Sequence, residues 1–182
     1  MKLTEGERLC AVACLLIGEG SIYLVPSKHK KKNGDVYFTL IPYVDFVNTD
    51  FEVIDFLEIF VRHFKPTATH YRVREHIPLQ ANHKKSKILS LHSIHGVCSF
   101  LKKIRPYLFG IKAKEADLMV EFCDSRLNRP YLKIGHPGQL GNCCGKKPYS
   151  KRELEIYKEL KALNHRGREE KLYKEFVASW LL

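Results

Sequence analysis

Hydrophobic positions along this 182-residue chain follow two periods, and the switches between them mark its elements. From Leu9 to Ile17 the run LCAVACLLI carries no strongly polar side chain, and Thr4 with Glu7 three residues later has the form of a capping box. Together they predict a helix over about 4–17. Residues 21–29 (SIYLVPSKH) and 35–46 (DVYFTLIPYVDF) read as strands instead. In the second, Val36, Phe38, Leu40, Val44 and Phe46 alternate with Asp35, Tyr37, Thr39, Tyr43 and Asp45, the two-residue period of a half-buried strand. The basic KKKNG between them predicts a hairpin turn. FEVIDFLEIFVRHF (51–64) returns to a helical period, with Asp50 as its N-cap, and strands follow at about 69–77 and 86–93. Helices are predicted over about 95–108, with Pro106 inside its end, and over 112–127. A Gly-, Pro- and Cys-rich loop (135–148) then precedes a charged helix from Ser150 to about 163 and a last helix over about 169–182. The order αββαββα plus helices predicts an α+β fold with one four-stranded antiparallel sheet.

The first helix ends oddly. Its apolar run stops on Glu19, a carboxylate between Gly18 and Gly20. A secretory leader would have a positive front end and a small-residue cleavage site, whereas Glu5 and Glu7 stand here beside Lys2 and Arg8. A transmembrane span needs ~20 apolar residues, about twice this run. A buried core helix with Gly18 as C-cap is the ordinary alternative. It leaves unexplained an acid at a helix C-terminus, where the macrodipole disfavours negative charge.

Composition narrows the class. An apolar content of 45% with 28% charged residues predicts a globular protein. We expect a single domain over 1–182, with a core at about 4–127 and a helical extension at about 149–182. The net charge of +11 favours a polyanionic partner. The six cysteines (10, 14, 98, 123, 143 and 144) are too sparse for a disulfide framework. With no export signal they read as reduced thiols of an intracellular protein, in the cytoplasm or nucleoid of a prokaryote or in an organelle. His136, Cys143, Cys144 and His165 raise a zinc site, but adjacent cysteines suit zinc less well than C-x₂-C spacing. The sequence offers no Gly-rich phosphate loop, no Ser/His/Asp set and no membrane segment.

Strand alternation also predicts what the sheet's uncovered face presents. Strand one offers Tyr23, Ser27 and His29, and strand two Tyr37, Thr39, Tyr43 and Asp45. Strand three offers His70, Arg72, Arg74 and His76, and strand four Ser90 and His92. A merely solvated face would mix Lys with Glu. Arg, His, Tyr, Ser and Thr are donors to phosphates and base edges. Lysines at the hairpin tips (Lys28, Lys30, Lys31 and Lys32, then Lys84, Lys85 and Lys87) strengthen a nucleic-acid reading.

At this point the residues carry a resemblance. VACLLIGEGSI (Val12–Ile22) resembles the LAGLIDADG motif of homing endonucleases, in its variant ending GEGSI. The αββαββα order matches that family's core lobe. SFLKKIRPYLFGIKAKEADLMVEF (Ser99–Phe122) resembles its segment bearing a basic catalytic residue, and YSKRELEIYKELKALNHRG (Tyr149–Gly167) its C-terminal helix in archaeal and organellar members. Cys14 departs from the family's small Gly and Ile17 from its first acid; the second acid, which the family uses for metal, is Glu19.

The resemblance implies an intron-homing, site-specific endonuclease that cuts a long pseudo-palindromic double-stranded DNA target. One motif per chain implies a C2 homodimer. Its two first helices would approach closely through the small side chains of Ala11, Ala13, Cys14 and Gly18, with Ala11, Cys14 and Gly18 in the interface, and bring two Glu19 carboxylates together beneath the DNA. Glu19 and the Gly18 carbonyl would hold Mg²⁺; Mn²⁺ could replace it, and Ca²⁺ could occupy the site without supporting cleavage. Lys112 aligns with the family's catalytic Lys, and Asn48 falls where relatives often carry a water-positioning Gln. The uncovered-face residues other than Asp45, with Lys30 and Lys31, would contact DNA. Some proteins of this fold are RNA maturases or other non-cleaving binders, an alternative that Ile17 keeps open.

Overall fold

The computed structural model describes residues 3–30, 34, 36–64, 71–78, 84–128 and 149–164. Helix α1 (Glu5–Glu19) begins with the expected capping box, Thr4 and Glu7 bonding reciprocally. It runs two residues past its predicted end, so Gly18 lies inside the helix and Gly20 caps it, donating to the Leu16 carbonyl. The reason is steric. A Cβ on Gly20 would meet the Leu16 backbone at 2.8 Å, so only glycine lets the chain turn there into a strand.

That strand, β1 (Gly20–Lys30), pairs along its whole length with β2 (Val36–Asn48). Helix α2 (Phe51–Phe64) follows, with the Asp50 side chain accepting from Glu52 N at 3.0 Å as its predicted cap. Strands β3 (Tyr71–His76) and β4 (Ser86–Leu91) complete the sheet, which is antiparallel throughout in the order β1-β2-β4-β3. β4 meets β2 only over Val44–Asn48. The rest of the β1–β2 hairpin is therefore a two-stranded ribbon on that side.

Ser93, expected at the end of the fourth strand, instead caps α3 (Ile94–Ile104) by accepting from Gly96 N at 3.0 Å. Pro106 shortens this helix relative to expectation. With no N–H to continue the α pattern, the chain tightens into a 3-10 turn over Arg105–Tyr107. Helix α4 (Gly110–Leu127) starts two residues early, from Gly110 at φ 60°. Helix α5 (Lys151–Leu163) opens on a second capping box, Ser150 with Glu153. The predicted loop at 135–148 and the last helix at 169–182 lie outside the described residues.

The helices cover one face of the sheet. A single core cluster joins Leu9, Val12 and Leu16 of α1 to Phe38, Leu40 and Phe46 of β2, Phe100 and Leu101 of α3, Phe122 of α4 and Ile156 of α5. Phe46 and Phe100 meet edge to face at 6.1 Å. Polar pins then fix α5. Glu153, 0% exposed, accepts from Ser150 N at 2.6 Å and Ser125 Oγ at 3.0 Å, with Arg126 Nη1 at 3.9 Å. The Arg126 guanidinium lies 4.4 Å over the Tyr149 ring, whose hydroxyl accepts from Leu40 N at 2.6 Å. Asn164 donates to the Ile22 carbonyl of β1 at 2.7 Å.

Within the chain, α1 is covered on one side only. Leu9, Val12, Ala13 and Leu16 face the core. Cys10, Cys14 and Gly18 are exposed and Ala11 is half-buried, so the opposite side is a strip of small residues open to solvent. The described cysteines, 10, 14, 98 and 123, are free thiols, as expected.

Candidate catalytic end and nucleic-acid interface

Glu19 is the last residue of α1 and is exposed. No basic residue occupies the final turn of that helix to offset the acid. Its polar contact comes instead from β2, where Asn48 Nδ2 donates to Glu19 Oε2. Asn48 is held in turn, its Oδ1 accepting from Asp50 N at 2.8 Å as the strand ends. Thus two of the sequence-predicted residues, 29 positions apart, meet. One carboxylate oxygen is aimed by an amide while the group stays open to solvent.

Lys112 lies near the start of α4, and its ammonium pairs with Glu115 at 2.8 Å rather than with Glu19. The Lys112 side chain is only 18% exposed and that of Glu115 2%, so the cation is held against the fold. Sequence reading does not single out Glu115 as the partner of Lys112. Its i, i+3 spacing from Lys112 was the available signal, but spacing does not reveal that the acid is buried.

Register assigns the uncovered face of the sheet. Tyr23 stands opposite Tyr43, Ser27 opposite Thr39, and His29 opposite Tyr37. Tyr23 and Tyr43 stack at 5.5 Å, Tyr43 and His92 at 5.9 Å, and His29 and Tyr37 at 5.0 Å. His29 Nε2 also lies 2.8 Å from Thr39 Oγ1. A second row crosses all four strands as Ser21, Asp45, Ser90 and Arg72. Tyr23 donates its hydroxyl proton to Asp45 Oδ2 at 2.5 Å. Burial, and then the Asp45 carboxylate, push the Tyr23 phenol far above its ordinary pKa, so it stays a protonated donor. Arg72, Arg74 and His76 are exposed, whereas Ser90 is covered between its larger neighbours.

Not every expected cation points to that face. Lys87 sits on the helix side, paired with Asp55 and over the Phe51 ring at 5.8 Å. Lys28 lies 5.9 Å from the Phe38 ring. One step of strand alternation separates them from Ser86 and His29. Lys30 is exposed at the end of β1. His70, Lys31 and Lys32 lie outside the described residues, as do His136, Cys143, Cys144 and His165 of the zinc reading. Among the described residues no three metal-ligating side chains converge, and no helix is long and apolar enough to cross a membrane.

No protein-family model and no curated protein matches the sequence. Solved structures do match the fold. An archaeal intron-encoded homing endonuclease, I-Vdi141I, complexed with DNA, superposes over 97% of this chain and 98% of its own at 17% identity, with a TM-score of 0.60. The homing endonuclease I-TnaI matches over 98% and 99% at 17% identity and a TM-score of 0.59. The LAGLIDADG homing endonuclease I-SmaMI, bound to cleaved DNA, matches over 97% of this chain at 18% identity and a TM-score of 0.56. There the chain spans only 49% of the matched protein. The fold is that of the LAGLIDADG homing endonucleases, the α+β arrangement read from the element order.

Proposed function

We propose that this chain belongs to the LAGLIDADG family and is a site-specific double-strand DNA endonuclease acting as a C2 homodimer with Mg²⁺. The observation that carries the reading is the end of α1. An exposed, amide-oriented carboxylate terminates a helix whose outer side is small and open. Both features look incomplete in one chain and complete in two. Two such helices packed through Ala11, Cys14 and Gly18 would bury the strip and set Glu19 beside the partner's Glu19. The fit to half of I-SmaMI supports a one-lobed chain that supplies the second lobe by pairing. The DNA in the matched I-Vdi141I and I-SmaMI structures supports the partner.

The donor set suits a hard divalent cation. Carboxylate and carbonyl oxygens are what Mg²⁺ prefers, and the Glu19 carboxylates with the Gly18 carbonyls would hold it. When bound, the ion supplies Lewis-acid activation of the scissile phosphate and of an attacking water. The chain's own residues do the rest. Asn48 fixes the orientation of Glu19 and prevents its rotation away from the helix end. Lys112, anchored by Glu115, holds a positive charge that would face the phosphate. Strand faces bearing Arg72, Arg74 and the Tyr23–Tyr43–His92 stack would lie in the groove.

The test is selection of cleaved sequences from a randomised duplex library, with Mg²⁺ and with chelator. A Mg²⁺-dependent, pseudo-palindromic consensus is expected. Binding without scission would favour the non-cleaving alternative, to which the isoleucine at position 17 lends weight.

A further inference from the structure

Among the described residues the uncovered face of the sheet carries one acid, Asp45. It is not a solvated counter-charge. Its Oδ2 accepts the Tyr23 hydroxyl, while its Oδ1 is buried with no hydrogen-bond partner. Ser21 and Ser90 flank it in register and both are buried. Holding an anion in this way is costly, so the pair demands a reason.

The reason lies in what Tyr23 has left to offer. A phenol has one proton and two acceptor lone pairs. Here the proton is committed inward to Asp45, and the ring is fixed by its stack on Tyr43, itself stacked on His92. Only lone-pair density remains to face outward, with an anion behind it. Such a group attracts a donor and repels a carbonyl. In the major groove each base pair presents one exocyclic amine, on A or C, and one carbonyl oxygen, on T or G.

On the DNA-binding reading of this face, on which the step depends, we propose that Tyr23, its proton held by Asp45, is an acceptor-only contact that selects an exocyclic amino group at one base position. At that position Tyr23 determines specificity and Asp45 positions it. The signature is unusual: A or C is preferred over G or T on one strand, with no choice made between A and C.

The experiment uses the full chain and duplexes differing only at the position that a randomised library identifies. The wild type should favour A and C over G and T by about tenfold there. Tyr23→Phe keeps the ring stack and removes the acceptor, so the preference should vanish at that position and persist elsewhere. Asp45→Asn supplies an amide that can donate to the Tyr23 oxygen and release its proton outward, so the preference should shift toward G and T. A merely structural Asp45 would weaken all four bases alike and overturn its positioning role. A wild type without an amino-over-carbonyl position, or a Tyr23→Phe protein that retains it, overturns the inference and leaves DNA binding standing. A wild type that binds no duplex overturns the proposed function as well. Should Asp45→Asn fail to fold, Tyr23→Phe decides alone.

Discussion

The seam between α4 and α5 and the free end of α1 each centre on a glutamate, and they treat it in opposite ways. At the seam Glu153 is fully buried, and Ser150, Ser125 and Arg126 surround it. At the end of α1, Glu19 is exposed, has no cation in its final turn, and receives one amide from Asn48. The seam answers its charge within the chain. The helix end leaves its charge open to solvent. The buried acid is satisfied by its own chain, whereas the exposed one keeps a single orienting bond and open solvent.

The sharpest test of this contrast is Glu19→Gln. It retains the shape and removes the charge, so strand scission should fall to background while the melting temperature and DNA affinity stay unchanged. Appreciable cutting by this protein would end the two-carboxylate reading. Glu153→Ala should do the reverse. Removing one side of a buried pair costs about 3–5 kcal/mol, which calorimetry should register as a fall of roughly 10 °C in a chain of this size. Activity measured well below that midpoint should survive.

Cys14→Phe probes the open strip beside Glu19. If two copies pack there, an overpacked ring costs about 1–3 kcal/mol for each copy, and sedimentation should show dimer lost together with double-strand cleavage. An intact dimer would place the interface elsewhere. The smallest effects separate the sheet face from its rim. Arg72→Ala should weaken binding by about 1–3 kcal/mol and relax preference at one symmetric pair of bases. Lys30→Ala should weaken all sequences alike and lower the salt slope by about one unit. Uniform weakening at Arg72 with lost specificity at Lys30 would invert the assignment.

Element type was legible because each segment keeps one period over many residues. The αββαββα order, both serine or threonine caps on α1 and α5, and the aspartate cap of α2 follow from local chemistry. Errors gathered where local chemistry is overruled. The end of α1 depends on how closely Gly20 approaches the Leu16 backbone, a tertiary fact. The end of α3 depends on which residues Pro106 frees. The site was legible as a set of residues but not as contacts. Nothing local joins Asn48 to Glu19, and nothing local buries Glu115 beneath Lys112. Position in the sequence groups Lys84, Lys85 and Lys87 at one hairpin tip, whereas strand alternation sends Lys87 to the helix side, where Asp55 meets it.

The two-stranded ribbon of β1 and β2 has an arithmetic consequence. Beyond the reach of β4, the segment from Val36 to Tyr43 rises about 3.4 Å per residue, nearly the axial spacing of successive base pairs. Side chains on one face of a strand recur every second residue. Laid along a groove, Tyr37, Thr39, Ile41 and Tyr43 would therefore sample alternate base pairs, and β1 offers its partners at the same levels rather than between them. The intervening base pairs would be left unread by this ribbon. On the proposed DNA-binding reading, a target recognised this way would carry less information than its length suggests.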